Sequence, residues 1–243
     1  MIINKIPNFT HADPSETLSP KAYRYMIEQQ LMDDLDTLSV EFIKSFPPQT
    51  INALDLGGRK GMHAKRMSIA GASVTMIDLI DLPHNHFTSF GHDGILFPLV
   101  THLQKNFKDI NENDMPKTLD MIYSQRALNY LNYHDTKKLL TFLYERLEGH
   151  GAIFLSLAGY DTEYGLTHKA RANPIETRFD YLGNDMQEKH NIRQKICIYR
   201  QEELVELLHQ IGFTHISSMQ SGFGNVKAIA YKQKPIACAP LEF

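Results

Sequence analysis

Short apolar runs alternate with amphipathic stretches along most of this chain. Ile51–Leu56 is an apolar run of strand length closed by Gly57 and Gly58. Met62–Ala70 reads as a helix ended by Gly71, and Ser73–Asp78 as the next strand. Leu99–Leu103 is a less sharply patterned strand, and Leu119–Ser124 and Ala152–Ala158 are two clearer ones. Between those two, Leu139, Leu140, Leu143 and Leu147 mark one side of a helix that Asp135 is placed to cap. Leu204, Leu207, Leu208 and Ile211 mark another helix over Gln201–Ile211, stopped by Gly212 and followed by strands at Thr214–Gln220 and Val226–Lys232.

Ahead of this alternation, residues 1–18 are polar and irregular. Ser19-Pro20 opens a helix carrying Ile27, Leu31, Leu35, Leu38 and Phe42 as one stripe, and Pro47-Pro48 ends it. Strands interleaved with helices of this length predict a mostly parallel, doubly wound sheet covered on both faces. No internal repeat and no Gly-, Ser- or Pro-rich linker divides the chain. The expectation is one domain over 1–243, with 1–50 an N-terminal arm and helix. Two segments break the rhythm. Residues 80–98 carry loop signals with His84, His86 and His92. Residues 159–199 are long, polar and aromatic, which predicts a lid over a substrate.

Composition narrows the function. Hydrophobic residues make up 42% of the chain, enough for a core, and the formal net charge is −3 without any basic block. That balance speaks against nucleic acid as a partner. The N-terminus has no signal-peptide run and no stretch reaches bilayer-spanning length, so the expected location is cytoplasmic, with no membrane partner. Cys197 and Cys238 read as free thiols. His84, His86, His92 and Asp93 match no metal-ligand spacing and read as a solvated loop, so no metal is expected.

The chemistry concentrates in Ala53-Leu54-Asp55-Leu56-Gly57-Gly58-Arg59-Lys60-Gly61, between a buried strand and a helix. Open α/β sheets bind cofactors at that junction, where glycines admit a ligand to the backbone and the helix offers unpaired N–H groups. The second strand ends on Asp78, a carboxylate suited to both hydroxyls of a ribose. Together these features predict an adenosine-containing cofactor.

At these residues the sequence resembles the class I S-adenosylmethionine-dependent methyltransferases. Asp55 through Gly61 is similar to their first motif, an acidic residue and a glycine turn, and Asp78-Leu79 to their ribose and adenine contacts. Asn106-Phe107 occupies the place of their Asp-plus-apolar pair beside the adenine. Asp120 through Leu128, with Ser124 and Gln125, resembles the fourth-strand motif that passes the methionine part of the cofactor. Leu147-Glu148-Gly149-His150-Gly151 resembles their fifth-strand entry, and Glu202 to Phe213 their final helix. The order holds over 51–232. The resemblance implies a Rossmann-like sheet of seven strands with one antiparallel strand near the C-terminus. It also implies S-adenosyl-L-methionine as cofactor, leaving as S-adenosyl-L-homocysteine.

The cofactor residues so implied are Asp55, Gly57, Gly58, Arg59, Gly61, Asp78, Leu79, Asn106, Phe107, Ser124 and Gln125. Arg59 departs from the family's central glycine; it either pairs with the cofactor's carboxylate or obstructs the turn. Asn106 departs from the common aspartate yet can still accept a hydrogen bond. The expected acceptor is a small molecule contacted by Tyr160, Tyr164 and Arg178, with Tyr23 and Tyr25 helping to cover the cofactor. His190 or His168 would serve as base if the acceptor needs one. Alternatives are a protein or nucleic-acid acceptor, a binding module that has lost turnover, and a nicotinamide oxidoreductase. The last would need glycines where Arg59 and Met62 stand.

Overall fold

Asp34–Lys44 (α1) packs Leu35, Phe42 and Ile43 into the core, and Pro47 follows as the stop. This computed structural model describes residues 34–48, 50–83, 87, 100–233 and 241. The start of the N-terminal helix at Ser19-Pro20, Tyr23, Tyr25, the histidines at 84, 86 and 92, Asp93 and Cys238 lie outside the described residues.

From there the chain runs β1 (Ile51–Leu56), α2 (Met62–Ala70), β2 (Ala72–Asp78), β3 (Val100–Gln104), β4 (Leu119–Gln125) and α3 (Tyr133–Arg146). It continues with β5 (Leu147–Leu157), α4 (Asn184–His190), α5 (Gln201–Ile211), β6 (His215–Gln220) and β7 (Val226–Tyr231). The seven strands form one sheet in the order β3-β2-β1-β4-β5-β7-β6. Every pairing from β3 to β5 is parallel, and β7 runs antiparallel to both β5 and β6. The sheet is the seven-stranded methyltransferase type that the resemblance implied.

Strand periodicity sorts the core into two layers. On one face Leu54, Leu56, Ile122, Ile153 and Leu155 meet Leu139, Leu140 and Leu143 of α3 and Leu204, Leu207 and Leu208 of α5. On the other, Ala53, Met76, Met121 and Phe154 meet Leu35, Phe42 and Ile43 of α1 and Ala64 and Met67 of α2. Burying each large side chain contributes about 1.5–3 kcal/mol, so both layers hold the central strands firmly. Because α2 follows β1 onto one face and α3 follows β4 onto the other, the chain parts between adjacent strands. That parting opens a crevice at the carboxyl ends of β1 and β4.

Two local readings needed adjustment. The cap of α3 is Asn132, whose Oδ1 accepts the Asp135 N–H at 2.8 Å; Asp135 sits three residues further in. Leu147 is the residue that ends α3 and begins β5, so this strand starts earlier than Ala152 and absorbs an irregular register against Leu119–Met121. Among the described residues no helix is long and apolar enough to cross a membrane.

Candidate functional site

The crevice between β1 and β4 opens into two cavities. The larger, about 770 Å³, takes in Asp78, Leu79, Asn106, Phe107, Tyr130 and the later part of the 159–199 segment. The smaller, about 630 Å³, takes in Asp55, Gly58, Asp36, His63, Arg66 and Tyr123. Gly57, Arg59, Gln125 and Arg126 belong to both walls and mark where the cavities meet.

The turn after β1 is built for close approach. Gly57 has φ +80°, and a Cβ placed on it would lie 2.2 Å from the Ala127 Cβ, so only glycine lets the ends of β1 and β4 close together. Gly58 covers Asp55 and Met76 so tightly that a Cβ there would come within 2.5 Å of both the Asp55 Oδ2 and the Met76 sulfur. Gly61 caps α2 at φ +73° and lines neither cavity, which makes it a turn residue here. Arg59 takes φ +52°, and its N–H donates to Asp78 Oδ2 at 2.8 Å, while the Ile80 N–H donates to Oδ1 at 2.9 Å. Each carboxylate oxygen keeps a second acceptor site for a hydroxyl. Leu79, 65% exposed, and Phe107 offer apolar surface in the same cavity. Asn106 lines it too, with Oδ1 accepting the Lys108 N–H at 3.0 Å, which leaves the amide N–H groups as its free donors.

Asp55 is the electrostatic anomaly. It is 1% exposed, Oδ2 has no hydrogen-bond partner, and burial pushes its carboxyl up to about 8, with the negative charges of Asp78 and Asp36 adding to the effect. Beside it lies a buried polar cluster that sequence reasoning missed. Tyr123 donates its hydroxyl to Asp36, Arg66 reaches Asp36 at 3.4 Å, and the His63 Nε2 lies 2.9 Å from the Ser39 hydroxyl. Burial pulls the His63 imidazole down to about 4 against the opposing charge of Asp36, so the ring is neutral at physiological pH.

A sequence family described as a methyltransferase domain matches residues 23–218. The chain belongs to this family of methyltransferases. Among solved structures it is similar to a Methanosarcina mazei protein described as an S-adenosylmethionine-dependent methyltransferase. That match has 17% identity, a TM-score of 0.59 and coverage of 79% of this chain and 97% of the other. A Burkholderia thailandensis 1,6-didemethyltoxoflavin-N1-methyltransferase with bound S-adenosylhomocysteine matches at 14% identity and TM-score 0.57, covering 93% of each chain. Human N-acetylserotonin methyltransferase in complex with S-adenosylmethionine matches at 18% identity and TM-score 0.54, covering 88% of this chain and 55% of that one. At these identities the likeness is one of fold. No curated protein sequence matches the chain.

Not every residue named from the sequence reaches the cavities of this methyltransferase. Ser124 is fully buried and spends its hydroxyl on the Leu56 carbonyl at 3.0 Å, bridging β4 to β1. Arg178 is 1% exposed; its guanidinium is committed to Glu203, at 2.6 and 2.8 Å, and to the Asn173 and Ile198 carbonyls. Tyr160 lies under the guanidinium groups of Arg171 and Arg200, at 3.7 and 3.9 Å from its ring. Tyr164 donates to Asn225 Oδ1 at 3.2 Å and packs on His190, which faces Glu163 at 3.3 Å. His168 is buried, with Nε2 2.9 Å from the Ile196 carbonyl. None of Tyr160, Tyr164, His168, Arg178 and His190 lines either cavity, so their placement lends no support to substrate contact or proton transfer. From the same segment the residues that do face the larger cavity are Phe179, Tyr181, Asn191, Arg193, Gln194 and Lys195. Phe179 and Tyr181 carried an aromatic signal in the sequence; the others carried none.

Arg59 admits a direct test. Arg59→Gly should raise thermal stability by up to about 1 kcal/mol, because glycine holds positive φ without strain. Weaker cofactor binding in the same variant is the result expected of an arginine that pairs with the cofactor's carboxylate. Tighter binding in that variant would show that the arginine obstructs the turn.

Proposed function

We propose that this S-adenosylmethionine-dependent methyltransferase passes its methyl group to a small-molecule acceptor held where the two cavities meet. The observation that supports the reading most is the orphaned Asp55 carboxyl at the cavity wall. A buried acid without a partner, on a turn that admits a ligand, suits a cofactor carrying an ammonium and a sulfonium. The cavity volumes are those of small-molecule sites, and the acceptors named for the Burkholderia and human relatives are small molecules.

In this reading Asp78 accepts the ribose hydroxyls, Leu79 and Phe107 flank the adenine, and Asn106 offers its amide to the purine edge. Asp55, Gly57, Gly58 and Gln125 surround the amino-acid end, with Arg59 at its carboxylate. When bound, the cofactor supplies a methyl group already activated by its sulfonium. The protein's work is then to align the acceptor and keep water out. The 159–199 segment serves as the lid, through Phe179, Tyr181 and Arg193 rather than through Tyr160 or Arg178.

Calorimetric titration with S-adenosylmethionine, S-adenosylhomocysteine and nicotinamide cofactors tests the reading. Only the first two should bind. Asp78→Ala should weaken both by about tenfold or more, roughly 1.4 kcal/mol. That change removes the ribose contact and also releases the Arg59 and Ile80 N–H groups that shape the loop. Equal affinity in the variant would remove Asp78 from the site.

A further inference from the structure

Three non-glycine residues among those described hold positive φ, namely Arg59, Arg126 and Asn191, and all three line the cavities. Arginine pays steric strain in that region, so it persists only where the surroundings impose it. At Arg126, φ +53°, the surroundings do so. Its N–H donates to the Ser156 carbonyl at 2.8 Å, and the next residue, Ala127, is locked against Gly57. The result is an exposed arginine fixed at the end of β4, on the wall common to both cavities.

The charges around it are unevenly satisfied. Arg66 pairs with Asp36, Lys108 with Asp135 at 2.7 Å, and Lys195 with Asp180 at 3.9 Å. Asp78 is bound by backbone N–H groups. The guanidinium groups of Arg59, Arg126 and Arg193 have no hydrogen-bond or ion-pair partner among the described residues. Arg59, in the turn after β1, is matched to the cofactor's own carboxylate in the reading above. That leaves Arg126 and Arg193 as positive charge facing a cofactor that brings a sulfonium. An acceptor carrying negative charge relieves that repulsion; a neutral acceptor leaves it in place.

The geometry points to Arg126 as the residue that selects the acceptor: it takes a carboxylate or phosphate group of an anionic small molecule, with Arg193 as a second arm. The planar guanidinium suits either anion through paired hydrogen bonds. Aromatic side chains nearby, Tyr130 and Tyr181, favour a ring on the same molecule. This assignment rests on the methyl-transfer reading, and its test separates the two.

The 243-residue protein is first titrated with S-adenosylhomocysteine, then, once saturated, with benzoate, phenyl phosphate or benzamide. An anion that fits should bind about tenfold or more tightly than benzamide, and the better of the two acids identifies the group. Arg126→Gln should bring both acids to within about twofold of benzamide while S-adenosylhomocysteine affinity stays within about twofold of wild type, which also certifies a folded variant. Arg126→Lys, which keeps the charge without the fork, should fall between. Acids that bind no better than benzamide, whether all three bind or none does, overturn the assignment. So does a preference that survives Arg126→Gln, or one lost together with S-adenosylhomocysteine affinity, which would give Arg126 to the cofactor instead. A wild type that binds no S-adenosylhomocysteine overturns the methyl-transfer reading and this assignment with it.

Discussion

Arg178→Ala is expected to destabilise the whole chain by about 2–4 kcal/mol, the loss typical of breaking a mostly buried ion pair from one side. Arg178 ties three pieces of chain together. It holds Glu203 at the start of α5 through two hydrogen bonds, and it caps the Asn173 and Ile198 carbonyls from within. Alanine leaves both carbonyls without that donor and the Glu203 carboxylate with only the Arg200 contacts. The figure sits below the full cost of a wholly buried pair because Glu203 is partly reached by water. The loss should be global, because Cys197 and Tyr199 on the same segment belong to the α3–α5 core while Ile196 and Ile198 pack with Leu182. Urea denaturation should therefore show the deficit, and hydrogen exchange should show faster amides over 159–199. A midpoint shift worth less than about 0.5 kcal/mol would mean that the pair is decorative. Arg178→Lys should recover little, since an ammonium cannot bridge both carboxylate oxygens and two carbonyls at once.

This arginine also marks where sequence reading stops. Lying in a long polar segment, it looked like a residue for a ligand, since arginines in loops at strand ends usually face solvent or substrate. Its true partner, Glu203, is far away in sequence and was legible only as part of the first turn of a helix. The reverse held at Arg126. It was visible within the fourth-strand motif, but nothing in the letters shows that its backbone is left-handed, because that conformation is imposed by Gly57 and Ser156 from neighbouring strands.

What local rules govern was read well. β1, α2 and α5 begin and end where apolar periodicity and the glycines at 57, 71 and 212 put them, because caps and turns are decided within a few residues. The Asn132 cap was missed because Asn132 and Asp135 both suit a helix start, and only the hydrogen bond between them tells cap from first turn. The cluster of Asp36, His63, Arg66 and Tyr123 spans α1, α2 and β4. Each member looked ordinary in its own element, and only packing brings them to one cavity wall.

Asp55→Asn is expected to separate the fold's interest from the cofactor's, and pH should be the control variable. Burial, joined by the charges of Asp78 and Asp36, raises the Asp55 carboxyl from an ordinary 3.8 to about 8. A group raised in the folded state gives its full stabilisation below the unfolded value and loses it as pH rises through the folded one. The apo wild type should therefore lose stability relative to Asp55→Asn between about pH 4 and 8. The divergence should reach about 1–3 kcal/mol, short of what the full shift implies because local opening relieves so large a penalty. Binding should show the opposite preference. A cofactor bearing an ammonium and a sulfonium favours the ionised carboxyl, so wild-type affinity should climb from pH 6 to pH 8, and binding at pH 7 should release a proton. Asp55→Asn should lose about tenfold or more in affinity at pH 8, where the wild type is readily ionised, and much less at pH 6, where its carboxyl is already neutral. Titrations in two buffers of different ionisation enthalpy count the proton, and thermal melts across the same range give the stability difference. If the wild type binds equally well at pH 6 and pH 8, or the variant loses as much at one as at the other, the Asp55 carboxyl does not meet the cofactor's positive charge. The reason for burying it would then have to be sought in the turn itself.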